Sequence, residues 1–247
     1  MDNYTEEQQT MKPVAIFRHS PGEGPGYFSI FLESNGIPWT LIPVDAGAAI
    51  PDDASAYSGL CFMGGPMSVN DPLPWIESVC ALIRDAVDKD IPVIGHCLGG
   101  QLMSRALGGS VTRNPVKEIG WTTGLGETGE NVSQWLGPFA GKPHPLFQWH
   151  GETFSLPAGA TRLMLTPICA NQMFVLGPHL GMQCHVEMTP EMIANWCEQW
   201  ADECSPDEAV PSIQKPEAMQ ADIQEKLPEL RHLANQLYGR WISGLTR

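Results

Sequence analysis

Residues 92–103, PVIGHCLGGQLM, place a cysteine between two glycines at the end of an apolar run. The spacing fits the elbow G-x-nucleophile-x-G, in which a strand turns tightly into a helix and exposes the central side chain. Glycine at 95 and 99 suits this turn, because a side chain at either position would collide with a neighbouring strand or with substrate. Cys97 would then lie at a helix N-terminus, where the positive end of the helix dipole favours the nucleophilic thiolate.

A cysteine nucleophile needs a base, and the base needs a group that orients it. Among the seven histidines His185 stands out, because Glu187 follows two residues later and both side chains can project to the same side of a strand end. His96 adjoins Cys97, so its side chain should point to the opposite face of the strand. The alternatives are a buried structural cysteine at 97 and a histidine that merely neighbours an acid.

Two other combinations of residues have types that do chemistry. His150 and Glu152 repeat the spacing of His185 and Glu187, and we interpret them as substrate wall and structure rather than as a rival triad. Cys184 together with His185 and Glu187 has the residue types of a zinc site, but adjacent ligands have poor geometry for tetrahedral zinc. The sequence therefore predicts neither a metal nor a cofactor.

Acyl chemistry also requires hydrogen-bond donors for the oxyanion of a tetrahedral intermediate. Residues 62–68, FMGGPMS, end an earlier apolar run with two glycines, so backbone N–H groups there can face a bound carbonyl. In a parallel sheet this loop and the Cys97 elbow both emerge at the carboxyl edge, where such folds place their active sites. An ordinary turn is the alternative for a lone Gly-Gly-Pro.

The elements that must position these groups are predicted from apolar patterning. Four short runs with continuous apolar character, typical of strands buried on both faces of a parallel sheet, span residues 14–19, 37–44, 59–65 and 91–97. Between the last two, residues 71–90 have helical spacing. This order predicts an α/β fold, a doubly wound, mostly parallel, flavodoxin-like sheet with helices on both faces. From about 110 to 187, shorter apolar runs separated by Gly and Pro predict added antiparallel strands.

The chain is predicted to contain one large domain between two short segments. Residues 1–12 would form a flexible arm, residues 13–204 the α/β domain, and residues 205–247 a helical extension that packs on or extends the same domain. Within the extension a helix should begin near Pro216 and be interrupted around Pro228. Its apolar stripe is typical of core, with partner docking as the alternative, and consists of Ile223, Leu227, Leu230, Leu233 and Leu237.

Charge and cysteine usage narrow the function classes. With 28 acidic and 14 basic residues the formal net charge is −14, which disfavours binding to nucleic acid or to an anionic membrane surface. The seven cysteines are scattered and contain no C-x-x-C pair, a pattern typical of free thiols in a reducing compartment. The acidic N-terminal residues do not resemble a secretory signal. We therefore expect a cytoplasmic protein.

The elbow, the glycine loop and the His-x-Glu pair together resemble the class I, triad-type glutamine amidotransferase domain, and the chain is similar to the glutaminase domain of GMP synthase. The resemblance covers about residues 14–195. It rests on MGGPMSVND, PVIGHCLGGQLMSRALGG, EIGW, FQWHGETFSLP, NQMFVLG and GMQCHVE. It implies that Cys97 attacks the side-chain amide of glutamine, that His185 passes protons and that Glu187 orients His185.

The same resemblance implies the remaining parts of the site. The oxyanion would be held by the backbone N–H groups of Gly65 and Leu98. Glutamine would be bound by Gln101, by the backbone around Met67 and by the segment Trp149–Gly151. A thioester formed with loss of ammonia would then be hydrolysed to glutamate.

Two positions depart from the family pattern. The family usually has an aromatic residue before the triad histidine and a proline after it, where Cys184 and Val186 stand here.

Three functions stay open for the chain. It has no G-x-x-x-x-G-K-[ST] loop and too few residues after 205 for an ATP-using synthetase domain. Ammonia would pass to a separate synthetase subunit, or the substrate would be a γ-glutamyl compound cleaved by a peptidase. A catalytically weak regulatory or binding module is the third possibility.

Overall fold

A computed structural model gives the structure of the chain over residues 11–204 and 210–246. The strands are β1 (Val14–Arg18), β2 (Trp39–Pro43), β3 (Gly59–Phe62), β4 (Val93–His96), β5 (Val111–Gly126), β6 (Pro143–Phe154), β7 (Thr161–Leu165), β8 (Met173–Leu176) and β9 (His179–Met182). The helices are α1 (Gly26–Ser34), α2 (Pro74–Asp88), α3 (Leu98–Ala106), α4 (Glu130–Leu136), α5 (Pro190–Gln199), α6 (Pro216–Ala221) and α7 (Ile223–Ile242). Most of the predicted N-terminal arm lies outside the described residues.

The nine strands of the described residues form one sheet in the order β2-β1-β3-β4-β9-β8-β7-β5-β6. The five strands from β2 to β9 pair in parallel, in the doubly wound order of flavodoxin-like folds. The predicted α/β class and flavodoxin-like sheet are confirmed. β3 and β4 end at Phe62 and His96, a few residues earlier than predicted, and this leaves the glycine loop and Cys97 beyond the strand ends.

The remaining strands extend the sheet in antiparallel fashion, as the sequence predicts. β8 pairs with β9 and β7, and the long strand β5 pairs with both β7 and β6. The β5–β6 ladder shifts register between Arg113 and Glu118, and after the shift Glu118 lies opposite His150. This cross-strand pairing brings two residues of the candidate site together that are far apart in sequence.

The core lies on both faces of the sheet, because alternate residues of a strand point to opposite sides. In β1, Val14 and Ile16 join one buried cluster, which includes residues of α1, α5 and α7. Ala15 and Phe17 join the other, which includes residues of α2 and α3. Helices therefore cover both faces of the sheet. Within the described ranges, no helix combines the length and apolar character needed to cross a membrane.

The predicted break of the C-terminal helix at Pro228 is wrong. The break falls at Asp222, between α6 and α7, and Pro228 lies inside the continuous helix α7. A proline removes one backbone hydrogen bond from a helix interior, but buried apolar residues on both sides of it hold α7 against the sheet. These are Leu227, Leu230, Leu233 and Leu237, with Ile223 partly buried against the same cluster. The apolar stripe of α7 is therefore core.

Candidate active site

Cys97 occupies a strained turn between β4 and α3. Its backbone has φ +48° and ψ −106°, a combination that side chains other than glycine rarely adopt and that costs about 1–3 kcal/mol. A Cβ atom at position 95 would strike the backbone of Gly99, and one at Gly99 would strike the carbonyl of Phe62. The two glycines are therefore needed for the close approach of α3 to β3 and β4. The elbow predicted from G-x-C-x-G is present.

His185 and Glu187 form a buried pair just beyond β9. The distance from Nδ1 of His185 to Oε1 of Glu187 is 2.7 Å, and both side chains are 1% exposed. The backbone N–H of His185 donates to the carbonyl of Phe147 (2.8 Å), and the Trp196 ring packs edge-on against the imidazole with centroids 4.8 Å apart. The pair thus forms with Val186, rather than proline, between its members.

The charges in this pair stabilise one another. Burial opposes a charge on His185, but attraction to the Glu187 carboxylate and to the Cys97 sulfur outweighs it, so the pKa of His185 lies well above its usual value. Burial also opposes the charge on Glu187, yet the neighbouring imidazoles keep the pKa of Glu187 below its usual value. Nε2 of His185 is buried and has no hydrogen-bond partner among the described residues. It is therefore the ring nitrogen available for proton transfer.

His96 points away from the cavity, as its place beside Cys97 predicts. Its Nε2 shares a hydrogen bond of 2.9 Å with the Tyr238 hydroxyl on α7 and lies 3.9 Å from Oε2 of Glu187. Burial lowers the pKa of His96 to about 4, so the ring is neutral near pH 7. His96 and α7 therefore support Glu187 from the side opposite the cavity.

The Cys97 sulfur contacts a glutamine that the sequence analysis did not assign. Nε2 of Gln183 lies 3.5 Å from Sγ of Cys97, and Oε1 of Gln183 accepts a hydrogen bond from Nε2 of Gln101 (3.2 Å). Gln183 stands two residues before His185, just beyond the end of β9 at Met182, so its polar side chain in the stretch GMQCHVE was the sequence signal for it. Its contacts connect Cys97, the predicted nucleophile, to Gln101, a predicted substrate residue.

One cavity of about 250 Å³ unites most of the predicted site. Its lining includes the predicted residues Gly65, Met67, Cys97, Gln101, Trp149, Gly151 and His185. Leu98 is adjacent, since its Cδ2 lies 2.7 Å from the position that a Cβ on Gly65 would occupy, and Glu187 lies behind His185. Glu152, interpreted from the sequence as substrate wall, also lines the cavity, as do residues without a predicted site role, among them Glu23, Ser68, Trp196 and Trp200. The volume suits an amino-acid-sized ligand, being below the ~300–1,000 Å³ of pockets for drug-sized molecules.

His150 belongs to a second, hydrogen-bonded cluster and does not pair with the Glu152 carboxylate. Its Nε2 lies 3.0 Å from Oε2 of Glu118, and its Nδ1 donates to the backbone carbonyl of Glu152 (2.9 Å). Glu118 also accepts hydrogen bonds from the Thr166 hydroxyl (2.8 Å) and from the Gln172 amide (2.9 Å). Both ring nitrogens of His150 and both oxygens of Glu118 are therefore engaged. This agrees with the interpretation of His150 as wall and structure.

Among the described residues, one cluster brings together three side chains of the types that bind metal ions. Its candidate ligand atoms lie within 4.8 Å of one another and belong to Glu118, His150 and Cys169. A hydroxyl and an amide N–H already point at the Glu118 carboxylate, an arrangement that suits hydrogen bonding better than a cation. Cys184, considered with His185 and Glu187 as a zinc ligand, is buried in the hydrophobic core cluster instead.

Cys97 differs from the other cysteines in its access to the cavity. All seven are free thiols, but only the Cys97 side chain lines the cavity. Burial raises the pKa of the other six: to about 11 for Cys80 and Cys204, well above the usual value for Cys61 and Cys184, and above the usual value for Cys169 and Cys197. These six are thus unreactive thiols near pH 7.

Comparisons with known proteins agree with this geometry. The chain matches the family model "Glutamine amidotransferase class-I" over residues 31–197. It is 34% identical over 182 residues to the putative glutamine amidotransferase-like protein YfeJ of Salmonella typhimurium, a match that covers 71% of this chain and 75% of that protein. It is 28% identical over 179 residues to gamma-glutamyl peptidase 3 of Arabidopsis thaliana, covering 68% of this chain and 71% of that protein.

A GMP synthase and a solved structure complete the comparison. The probable GMP synthase of Leptospira interrogans is 30% identical over 135 residues, which cover 54% of this chain but 21% of that protein. The crystal structure of a glutamine amidotransferase from Methylobacillus flagellatus is similar with a TM-score of 0.92 and 42% identity. That similarity covers 96% of this chain and 97% of the other.

Proposed function

Since the chain belongs to the class I glutamine amidotransferase family, we propose that it hydrolyses γ-glutamyl amides, glutamine among them, through a thioester on Cys97. The observation that carries this proposal is the buried His185–Glu187 pair, whose free Nε2 and the Cys97 sulfur serve the same cavity. Nucleophile, base and orienting carboxylate are the three groups that acyl transfer through cysteine requires.

The reaction proceeds in two halves. The Cys97 thiolate attacks the γ-glutamyl carbonyl, and the backbone N–H groups of Gly65 and Leu98 stabilise the resulting oxyanion. Protonated His185 gives its Nε2 proton to the departing nitrogen. The C–N bond then breaks, and the glutamyl group is left on Cys97 as a thioester. His185 then removes a proton from water, which attacks the thioester and releases glutamate. Glu187 holds the imidazole in one orientation and stabilises its charge throughout.

The cavity offers groups for the amino-acid end of the substrate. Gln101 and the backbone near Met67 and Trp149–Gly151 lie along its wall. Glu152 also lines the cavity, and its carboxylate accepts a hydrogen bond from the Ser68 hydroxyl (3.0 Å). A carboxylate in this position suits the α-ammonium group of a γ-glutamyl substrate. The site thus selects for a free glutamyl head.

A peptidase on γ-glutamyl compounds is the second candidate, and the comparisons favour it specifically. The match to gamma-glutamyl peptidase 3 covers 71% of that protein, whereas the match to GMP synthase covers 21%. Both reactions use the same acyl-enzyme and differ only in the leaving amine. Delivery of ammonia to a separate synthetase subunit, and a cytoplasmic location, stay predictions.

Glutamate release by purified protein tests the proposal. Wild type, Cys97→Ala and the matched control Cys80→Ala would be incubated with glutamine and with γ-glutamyl dipeptides. We expect wild type and Cys80→Ala to release glutamate and Cys97→Ala to release none. Faster cleavage of the dipeptides identifies a peptidase, and faster cleavage of glutamine identifies a glutaminase. Cleavage that persists in Cys97→Ala, or no cleavage by wild type, contradicts the proposal, and the latter favours the regulatory module.

A further inference from the structure

Glu23 is a buried carboxyl that the mechanism above does not use. It lies in the loop between β1 and α1, is 5% exposed and lines the cavity. Among the hydrogen bonds and ion pairs of the described residues, none involves its side chain. Buried acidic residues are almost always paired, and burial raises the pKa of Glu23 to about 7. A buried carboxyl without a protein partner suits the binding of a polar ligand group.

The loop that carries Glu23 is tied to the triad on two sides. Nε1 of Trp196, whose ring packs against His185, donates to the carbonyl of Gly22 (2.8 Å). The backbone N–H of Tyr27 donates to the backbone carbonyl of Glu187 (2.7 Å). The position of Glu23 relative to the catalytic imidazole is therefore fixed by the fold.

Gly64 has no side chain, and this leaves space between Glu23 and His185. A Cβ atom on Gly64 would strike Oε2 of Glu23 and would lie 3.3 Å from Cε1 of His185. The Glu23 carboxyl therefore faces the imidazole edge at Cε1. Among the described residues no hydrogen bond links it to Gln101 or Glu152, which form the glutamyl end of the cavity.

The same edge of the imidazole is where the leaving nitrogen must lie. Nδ1 of His185 is engaged by Glu187, so the proton for the leaving group comes from Nε2, next to Cε1. As the C–N bond breaks, that nitrogen gains a proton and positive charge, and its remaining N–H groups need an acceptor. The Glu23 carboxyl is the acceptor on that side of the cavity.

We propose that Glu23 binds the leaving amine, accepting a hydrogen bond from its N–H and stabilising the charge that develops on it. This inference rests on the proposed function and adds a substrate requirement: the leaving atom must be a nitrogen that carries hydrogen. The C–S bond forms, the C–N bond breaks and the proton moves from His185 to the amine. Glu23 keeps its own protonation state and sets the preference for amides over esters.

An amide and an ester with the same glutamyl group separate this role from a structural one. Wild type, Glu23→Gln and the matched control Glu198→Gln, an exposed position on α5, would be assayed with glutamine and with the γ-methyl ester of glutamate. In assays at pH 8, above the pKa of about 7 of Glu23, we expect Glu23→Gln to lower kcat/KM for glutamine about tenfold, because a charge-assisted hydrogen bond becomes a neutral one. Ester hydrolysis, whose leaving oxygen presents no N–H, should change less than about twofold.

The outcomes are distinguishable from failure of the proposed function. Equal losses on amide and ester, or no loss on either, overturn the role of Glu23 while hydrolysis by wild type still supports the function. Wild type that cleaves neither substrate overturns both. The alkylation rate of Cys97 by iodoacetamide, equal in wild type and Glu23→Gln, would show that the variant is folded with an intact nucleophile. A lower rate would assign the loss to the nucleophile and contradict a leaving-group role.

Discussion

Among the described residues, two buried histidine–glutamate pairs lie within hydrogen-bond distance and are nearly alike in geometry. In one, His185 and Glu187 are 2.7 Å apart, and in the other His150 and Glu118 are 3.0 Å apart, and all four side chains are 1% exposed. The pairs differ in what else their atoms contact. Nε2 of His185 and Oε2 of Glu187 have no hydrogen-bond partner among the described residues, whereas His150 and Glu118 have partners at every polar side-chain atom.

This difference is the one expected between a pair that transfers protons and a pair that only stabilises the structure. A polar cluster with all hydrogen bonds satisfied is rigid and stabilises the packing around it. A buried polar atom without a partner costs free energy and is retained where a function requires it. The proposed catalytic role of His185–Glu187 fits this difference, and His150–Glu118 supports the cavity wall between β5 and β6.

The largest expected effect comes from exchanging the two histidines for glutamine. His185→Gln should lower kcat/KM for γ-glutamyl amides about 10³-fold, because the general acid and base is lost. His150→Gln should lower it about tenfold or less, through a displaced cavity wall. Steady-state kinetics of both variants checks this, and losses of similar size would break the distinction between the pairs.

Replacing the glutamate of each pair should affect mainly activity at Glu187 and mainly stability at Glu118. Glu187→Gln should lower kcat about 10²-fold, because His185 loses the charge that orients it and its acid–base catalysis weakens. Glu118→Gln should lower the free energy of unfolding by about 3 kcal/mol, because an amide N–H₂ would face donors that now have an acceptor. Assays corrected for folded protein and urea denaturation measure both quantities. A larger loss of activity per folded molecule in Glu118→Gln would contradict the assignment.

Glu23 is a third buried carboxyl, and its side chain has no hydrogen-bond or ion-pair partner among the described residues. Its pKa is raised from 4.5 to about 7 by burial, so the folded state binds this proton more tightly than the unfolded state. Its contribution to stability is present below pH 4.5 and is lost as the pH rises to about 7, a change of about 3 kcal/mol.

Glu23→Gln removes this titration. Relative to wild type, the variant should gain about 3 kcal/mol of unfolding free energy between about pH 4.5 and pH 8, measured by urea denaturation at each pH. Glu198→Gln, an exposed change, should show no such gain. A difference between Glu23→Gln and wild type that is independent of pH would show that Glu23 is solvated or paired.

Local patterns predicted the parts of the molecule that local chemistry determines. Cys97 in its elbow and the first four strands follow from spacing and apolar runs, and each lies where the sequence places it, with strand ends within a few residues. The antiparallel strands and the burial of the α7 stripe follow in the same way. The break at Pro228 was predicted from local propensity and is wrong, because packing of α7 against the sheet outweighs one lost hydrogen bond.

Contacts between segments that are distant in sequence could not be predicted from the sequence. His150 and Glu152 repeat the spacing of His185 and Glu187, yet the carboxylate that contacts His150 belongs to Glu118 on the neighbouring strand. Glu23 lies on the same side of the cavity as His185 because the loop after β1 packs on α5 and Gly64 leaves room. Residue spacing in the sequence predicts neither arrangement.

The thioester itself gives the most direct test of the central claim that Cys97 is the nucleophile served by His185. Wild type mixed with a γ-glutamyl amide and quenched in acid within the first turnover would be digested and analysed by mass spectrometry. We predict a mass increase of one glutamyl group on the peptide that carries Cys97 and on no other cysteine peptide. Hydrolysis without any adduct on Cys97, or an adduct on one of the other six cysteines, would contradict the account.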